Sequence, residues 1–323
     1  MTPNPGSRTP YPKTKLIAIV GPTATGKSNV AVELAKRIGG EIISADSMQV
    51  YKGMNIGTAK ITPEEMQGIP HYLIDVIDPA EAFSVAEYQR LARQEISGIA
   101  ARGKIPILVG GTGLYVRSVI DKLEFPTGET ASKVRRQLEE RVEKEGAETL
   151  YKELVGKDPA AADIVHPNNV RRIIRALEVI ELTGKPFSEF HREWANRESI
   201  YDLEMFGLTM DREFLRRRIN ERVDKMVSAG LLDEVKDLVA HDYEGFLTSQ
   251  QAIGYKELIG YLKGEESFGE AIENIKARTR QYAKRQLTWF RADPRVKWID
   301  VDGKSIGKLV SNIIDKLKKD GFI

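Results

Sequence analysis

Over 323 residues, 41% of them apolar and 30% charged, the chain sets 49 Lys and Arg against 47 Asp and Glu for a net charge of +2. This belongs to a globular protein of one to three domains with no apolar run near the ~20 residues that span a bilayer, and any nucleic-acid affinity must come from local patches. The absence of cysteine excludes disulfides, thiolate zinc sites and cysteine nucleophiles and suits a reducing cytoplasm, while the scattered His71, His166, His191 and His241 show no metal-ligand spacing.

Met1 to Lys13 hold four prolines and no apolar h-region, and read as a disordered tail rather than a signal peptide. Leu16 to Val20 form a short β-branched run, expected as a buried parallel strand. It leads into Gly21-Pro22-Thr23-Ala24-Thr25-Gly26-Lys27-Ser28, which fits G-x-x-x-x-G-K-[ST], and an amphipathic helix follows to Ile38. The glycines let backbone N–H groups turn inward onto a di- or triphosphate, and the helix N-terminus adds its positive end. Lys27 supplies a point charge for the terminal phosphates, and Ser28 is the candidate Mg²⁺ ligand.

Glu41 to Ala45 reads as a second strand delivering Asp46 to Tyr51 at its carboxyl end, the edge where ligands sit in open α/β sheets. Tyr72–Val76 is a third strand candidate, followed by a helix over Ser84–Arg102. Ile105–Val109 is a further buried strand, ending in a second glycine-rich turn, Gly110 to Tyr115. From about Ile120 the pattern turns helical: Ala131–Leu154, a compact Ala160–Asp163, and Asn169–Leu182, which Gly184 and Pro186 end. Strands resume at Glu204–Met210, followed by an Arg-rich helix over Arg212–Ser228 and helices over Leu231–Ala240 and Gln250–Leu262. A capping box at Ser267 and Glu270 opens a helix to Arg291; a strand over Val296–Asp300 and a helix over Ser305–Lys319 close the chain. The alternation predicts an α/β fold of P-loop NTPase-like type, a parallel sheet with helices on both faces. Residues 1–13 are the tail, 14–119 with 201–323 the core, and 120–200 an all-helical insertion domain.

Asp46 faces the P-loop from a strand end, where a carboxylate either reaches Mg²⁺ through water or takes a proton from a nucleophile; capping the following turn is the plainer alternative. Thr112 occupies the same topological position one strand on, although the glycines around it also fit simple close packing. Arg218 and Arg222 share a helix face and are placed to close on a phosphate opposite Lys27, against the alternative of a solvated, ion-paired helix. Lys276, Arg280 and Lys284 recur every four residues, with Tyr282, Arg285 and Trp289 beside them. Such a basic stripe with planar groups suits single-stranded RNA, or else a solvated face backed by core aromatics. Arg171, Arg172 and Arg175 form a weaker basic cluster. A P-loop fixes neither reaction nor second substrate, so a small-molecule kinase or a nucleic-acid-dependent ATPase fits these residues as well.

Taken together, GPTATGKS (21–28), ISADSMQVYKGMNIGTAK (43–60), PHYLIDV (70–76), VGGTGLY (109–115), RRIIRALEV (171–179), IGYKEL (253–258) and TRQYAKRQLTWFR (279–291) resemble the tRNA dimethylallyltransferase (tRNA isopentenyltransferase) family of bacterial type, in order and across nearly the whole chain. Ser28 stands where the family usually has Thr, and Asn55 where it has Asp; the zinc-finger extension of eukaryotic relatives is absent. The resemblance implies a cytoplasmic, Mg²⁺-dependent transferase, with a monomer as the default state. It moves a dimethylallyl group from dimethylallyl diphosphate to the exocyclic amine of the adenosine 3′ of the tRNA anticodon. By the same resemblance the P-loop holds a diphosphate; the residues read above then put Asp46, Lys27, Arg218 and Thr112 in the catalytic set and Arg222 beside the diphosphate, and the spacing does not decide which of Arg218 and Arg222 meets it. The tRNA anticodon stem-loop meets Asp46, Ser47, Met48 and Gln49; Thr112; Arg171, Arg172 and Arg175; Gln251, Gly254, Tyr255 and Lys256; and Lys284, Arg285, Gln286, Trp289 and Arg291.

Overall fold

A computed structural model describes residues 13–125, 133–194, 196–241 and 252–323. The proline-rich tail through residue 12, and Gln251 among the site candidates, lie outside the described residues. In chain order the elements are β1 (Lys15–Val20), α1 (Lys27–Ile38), β2 (Gly40–Ser44), α2 (Pro63–Met66), β3 (His71–Tyr72), α3 (Val85–Ala101), β4 (Ile105–Gly110) and α4 (Gly113–Ile120). They continue as α5 (Lys133–Glu145), α6 (Ala147–Lys157), a 3-10 turn (Pro159–Asp163), α7 (Val170–Thr183), α8 (Phe187–Glu193), β5 (Asp202–Thr209) and α9 (Arg212–Ser228). The last are α10 (Leu231–Ala240), α11 (Tyr255–Leu262), α12 (Phe268–Arg291), β6 (Val296–Asp300) and α13 (Ile306–Lys319).

The chain packs as two compact units, one holding the residues up to Glu81 with Glu87–Ile120 and Ser199–Ile323, the other Ala82–Ala86 with Asp121–Glu198. In the first, the strands form one parallel sheet of order β3-β2-β4-β1-β5-β6. β1 is central, pairing Ile17 with Ile107 of β4 and with Glu204 of β5. Ile17 and Ile19 join one core with Val30, Ala31 and Leu34 of α1 and Val310 and Ile313 of α13. The alternate residues Leu16, Ala18 and Val20 are also fully buried, which is why β1 reads as a continuous apolar run rather than an alternation. The second unit has its own core, in which Leu138 of α5, Leu150 and Leu154 of α6 and Ile173 and Leu177 of α7 meet.

Three expectations shift. The strand read over Tyr72–Val76 stops after Tyr72, because Leu73 (φ 61°) and Asp75 (φ 55°) are left-handed. The following amides instead pair with the Asp46–Tyr51 turn, Asp75 donating to the Gln49 carbonyl (3.1 Å) and Val76 to Val50 (2.8 Å). The long helix read over Ala131–Leu154 is two helices, broken at Gly146 with φ 84°. The helix read from Gln250 begins at Tyr255, behind Gly254 at φ 103°.

Candidate active site

The carboxyl ends of β1, β2 and β4 converge, since parallel neighbours end on one edge. At the end of β1, Gly21 has φ 134°, and a Cβ there would stand 2.5 Å from the Leu208 carbonyl of β5; only glycine fits. Inside the loop, Thr25 Oγ1 donates to the Pro22 carbonyl (2.9 Å) and Lys27 Nζ donates to the same oxygen (2.7 Å). Ala24 (φ 65°) and Gly26 (φ 87°) turn the loop into α1. The first turn of α1 carries no acidic residue and leaves Ser28 exposed, so nothing on the helix competes for its positive end.

Lys27 is half-buried by surface area, yet its ammonium is ringed by protein atoms. Loss of water and the positive charge of Arg222 lower its pKa to about 7, with the Asp46 carboxylate pulling the other way. Arg222 is itself lowered by burial, opposed by Asp46 and Glu65. Lys27 and Arg222 share the Asp46 carboxylate, and Glu65 and Arg218 also act on Arg222, so cations outnumber carboxylates here and the site is short of negative charge.

Asp46 lies just past the carboxyl end of β2 and does two things at once. One oxygen accepts from the Met48 amide (2.9 Å), the turn-capping role, and the carboxylate also lines a cavity of about 250 Å³. Thr23, Ser47, Thr58, Arg222 and Arg285 border the same cavity on its polar side, with Tyr282. Met48, Val223, Met226, Leu231, Ile253 and Ile275 make the rest of the wall apolar. Val223 and Met226 follow Arg222 on α9, so one helix brings a cation and an apolar lining to the same space.

Thr112 Oγ1 accepts from the Ser47 amide (3.1 Å) and locks the Asp46 turn to the end of β4. The glycines around it serve close packing. A Cβ on Gly110 would overlap the Ala45 carbonyl, on Gly111 the side chain of Gln286, and on Gly113 the indole of Trp289. Gln286 is buried, accepts from the Thr23 amide (2.9 Å) and donates to the Gly111 carbonyl (3.0 Å). It therefore ties the P-loop to the second glycine turn, with its amide fully occupied inside the protein. Tyr282, in the same cavity wall, has its hydroxyl pushed up to about 12, first by burial and then by the Asp46 charge. Gln49 is likewise engaged inward, with Ser44 (3.1 Å) and with the Thr58 carbonyl (3.3 Å).

The basic stripe expected along α12 is only partly a free surface. Lys276 pairs with Asp224 (2.8 Å) and Glu273 (3.0 Å) and its side chain is 14% exposed, and Arg280 donates to Asn220 (2.7 Å). These two lock α12 to α9. Lys284, Arg285 and Arg291 are exposed, Arg285 lying over the Tyr282 ring, and Trp289 is 43% exposed. Trp289 is therefore no core residue. Arg218 is exposed, one turn before Arg222, and does not line the cavity. Gly254 lines the cavity, Lys256 is exposed, and Tyr255 is buried. In the other unit, Arg171 and Arg172 are exposed at the start of α7, while Arg175 pairs with the buried Glu178 (2.8 Å).

A family model described as IPP transferase matches residues 49–293. The chain belongs to the IPP transferase family. It is 51% identical over 309 residues to the tRNA dimethylallyltransferase of Carboxydothermus hydrogenoformans, covering 96% of this chain and 99% of that protein. It is 50% identical to that of Bacillus subtilis, over 90% and 91% of the two chains. Among solved structures, the tRNA isopentenylpyrophosphate transferase of Bacillus halodurans is similar at a TM-score of 0.70 and 49% identity, covering 96% of this chain and 98% of that one. A eukaryotic dimethylallyltransferase acting on tRNA is similar at a TM-score of 0.80 and 31% identity, over 95% and 80% of the two chains. The region matched to the IPP transferase family carries every cavity-lining residue except Thr23, Asp46, Ser47 and Met48. The apolar lining of this family member goes unread in the sequence, where Met48 is named only as a tRNA contact. A signal was available, because Val223 and Met226 fall one and four residues after Arg222.

Proposed function

We infer that this chain transfers the dimethylallyl group of dimethylallyl diphosphate to the exocyclic amine of the adenosine 3′ of the anticodon in tRNA, releasing diphosphate. What carries this is the cavity, where Thr23 of the phosphate-binding loop, Asp46 and Arg222 border the same space as an apolar wall of Val223, Met226, Leu231 and Ile275. A diphosphate with a short branched hydrocarbon tail has that same division of polarity. No helix among the described residues is long and apolar enough to cross a membrane.

In the reaction the allylic C–O bond breaks, its electron pair leaves with the diphosphate, and the amine nitrogen bonds to the allylic carbon. Negative charge grows on the leaving oxygen, so Lys27, the P-loop amides and Arg222 stabilise the transition state more than the bound substrate. Asp46 takes the proton the amine loses. Thr112 and Gln286 hold the Asp46 turn and the P-loop in register, Thr112 through Ser47 and Gln286 through Thr23. Ser28, exposed in the first turn of α1 beside the P-loop, offers the single hydroxyl oxygen that suits Mg²⁺, which takes few protein ligands and shares substrate phosphates; Ser28 would hold it, and when bound it would supply countercharge to the diphosphate. Lys284, Arg285, Arg291 and Trp289 form the RNA-facing part of α12, with Arg171 and Arg172 of the helical segment 120–200 as a second contact.

Isothermal titration tests the donor. Dimethylallyl diphosphate should bind without ATP turnover, and at pH 8 binding should take up about one proton, because the diphosphate charge restores the Lys27 ammonium. The uptake appears as an apparent enthalpy that varies with the ionisation enthalpy of the buffer, and Lys27→Met should abolish it. Phosphoryl transfer from ATP, or binding without proton uptake, contradicts this.

The RNA surface is tested by salt. Lys284→Ala should flatten the plot of log affinity against log salt by about 0.7–0.9, one phosphate contact. Trp289→Ala should weaken tRNA binding by about 1–3 kcal/mol with little change in slope, and with a melting temperature close to the parent's, since the indole is half outside. An unchanged slope for Lys284→Ala removes α12 from the RNA path.

A further inference from the structure

Two segments singled out in the sequence, NIGTAK (55–60) and IGYKEL (253–258), are joined through a third residue that no motif contains. Glu234, in the first turn of α10, accepts from three successive backbone amides: Asn55 (2.9 Å) and Ile56 (2.7 Å) on Oε2, and Gly57 (3.0 Å) on Oε1. Its Oε1 also accepts from the Tyr255 hydroxyl (2.6 Å). The Tyr255 ring lies so close to Gly57 that any Cβ there would overlap it. A carboxylate facing three amides and a phenol is a strong, charge-assisted clamp, and the first turn of a helix favours the negative charge.

The clamped loop is also a wall of the active-site cavity, through Gly57 and Thr58. Leu231, one turn before Glu234, lines the same cavity. The wall has no large side chain of its own at Gly57, so its position is set by where the backbone is held.

We propose that Glu234, acting with Tyr255, is a positioning residue that fixes the Gly57–Thr58 wall and thereby limits the cavity to a five-carbon allylic tail. This rests on the dimethylallyl-transfer reading above. Neither residue needs to touch the substrate. Release of the clamp lets the loop move outward, which weakens contact with the short tail and makes room for a longer one.

The test is steady-state kinetics of the full chain with an anticodon stem-loop and either dimethylallyl or geranyl diphosphate, for the parent, Glu234→Gln, Tyr255→Phe and the double variant. Glu234→Gln places an amide donor against donors, while Tyr255→Phe keeps the ring on Gly57 and removes only the shared hydrogen bond. Each is expected to raise KM for dimethylallyl diphosphate by about 10- to 100-fold, the range for a bond to a charged group, with a smaller loss in kcat. The preference in kcat/KM for the five-carbon over the ten-carbon donor should narrow. The double variant should cost less than the sum of the two, because both act on one bond. If Glu234→Gln does not fold, Tyr255→Phe decides alone. An unchanged KM with an unchanged preference, or a loss of kcat with the preference intact, overturns the proposal. Absence of transfer from dimethylallyl diphosphate by the parent would instead overturn the reading on which it rests.

Discussion

Asp46→Asn is expected to lower the single-turnover rate of prenyl transfer by about 10²–10⁴, the range for removal of a general base, while the fold and diphosphate binding persist. The asparagine oxygen can still accept from the Met48 amide, so the turn that Asp46 caps (2.9 Å) is kept. What is lost is the proton acceptor that lines the cavity within electrostatic reach of Lys27 and Arg222. Quenched-flow measurement with saturating tRNA and donor separates this from product release. A rate within a few-fold of the parent would leave Asp46 as a turn residue only.

Lys27→Met should show the opposite pairing of effects, a large loss of turnover with a gain in stability. Removing one electrostatic group from a transition state of this kind costs about 10²–10³ in rate. For the empty protein, however, the Lys27 ammonium is a liability. Its pKa falls to about 7 on folding from the ordinary lysine value of 10.5, burial being the largest cause. Between these values the unfolded chain binds more protons than the folded one, so stability rises with pH across that window. Below it the charge is present in both states and the full cost is felt; above it the group is neutral in both and the cost vanishes. Thermal melting of Lys27→Met should therefore exceed the parent near pH 6.5, and the difference should shrink as pH rises and vanish above pH 10.5. Each kcal/mol recovered raises the midpoint by about 2–4 °C for a core of this size. A variant less stable than the parent at pH 6.5 would contradict a desolvated lysine.

The parts of the fold legible in the sequence are those whose physics is local. The P-loop is one contiguous run, and its reading needs only that Gly21 and Gly26 turn and that Lys27 follows. β1 and β4 announce themselves as apolar runs ending in glycine. What escaped the sequence depends on partners far along the chain. Lys276 looked like a free cation because Asp224, which neutralises it, lies on another helix. Gln286 sits inside a basic and aromatic run that the resemblance turns toward RNA, yet the helical phase it shares with Ala283 and Phe290 puts it on the buried face. That phase was visible; that its amide would meet Thr23 and Gly111 was not. Glu234 resembled any solvated acid of an amphipathic helix, since the amides it holds come from a loop 177 to 179 residues away in sequence. The third strand failed because Leu73 and Asp75 adopt left-handed backbone, which no pattern of apolar residues betrays.

Mass spectrometry of an anticodon stem-loop incubated with the protein, Mg²⁺ and dimethylallyl diphosphate, followed by nuclease mapping, tests the central claim most directly. One dimethylallyl group should appear on the adenosine 3′ of the anticodon, with an equal amount of diphosphate released and with no requirement for ATP. An unmodified stem-loop in the presence of bound donor, or phosphate transferred from ATP in its place, would contradict it.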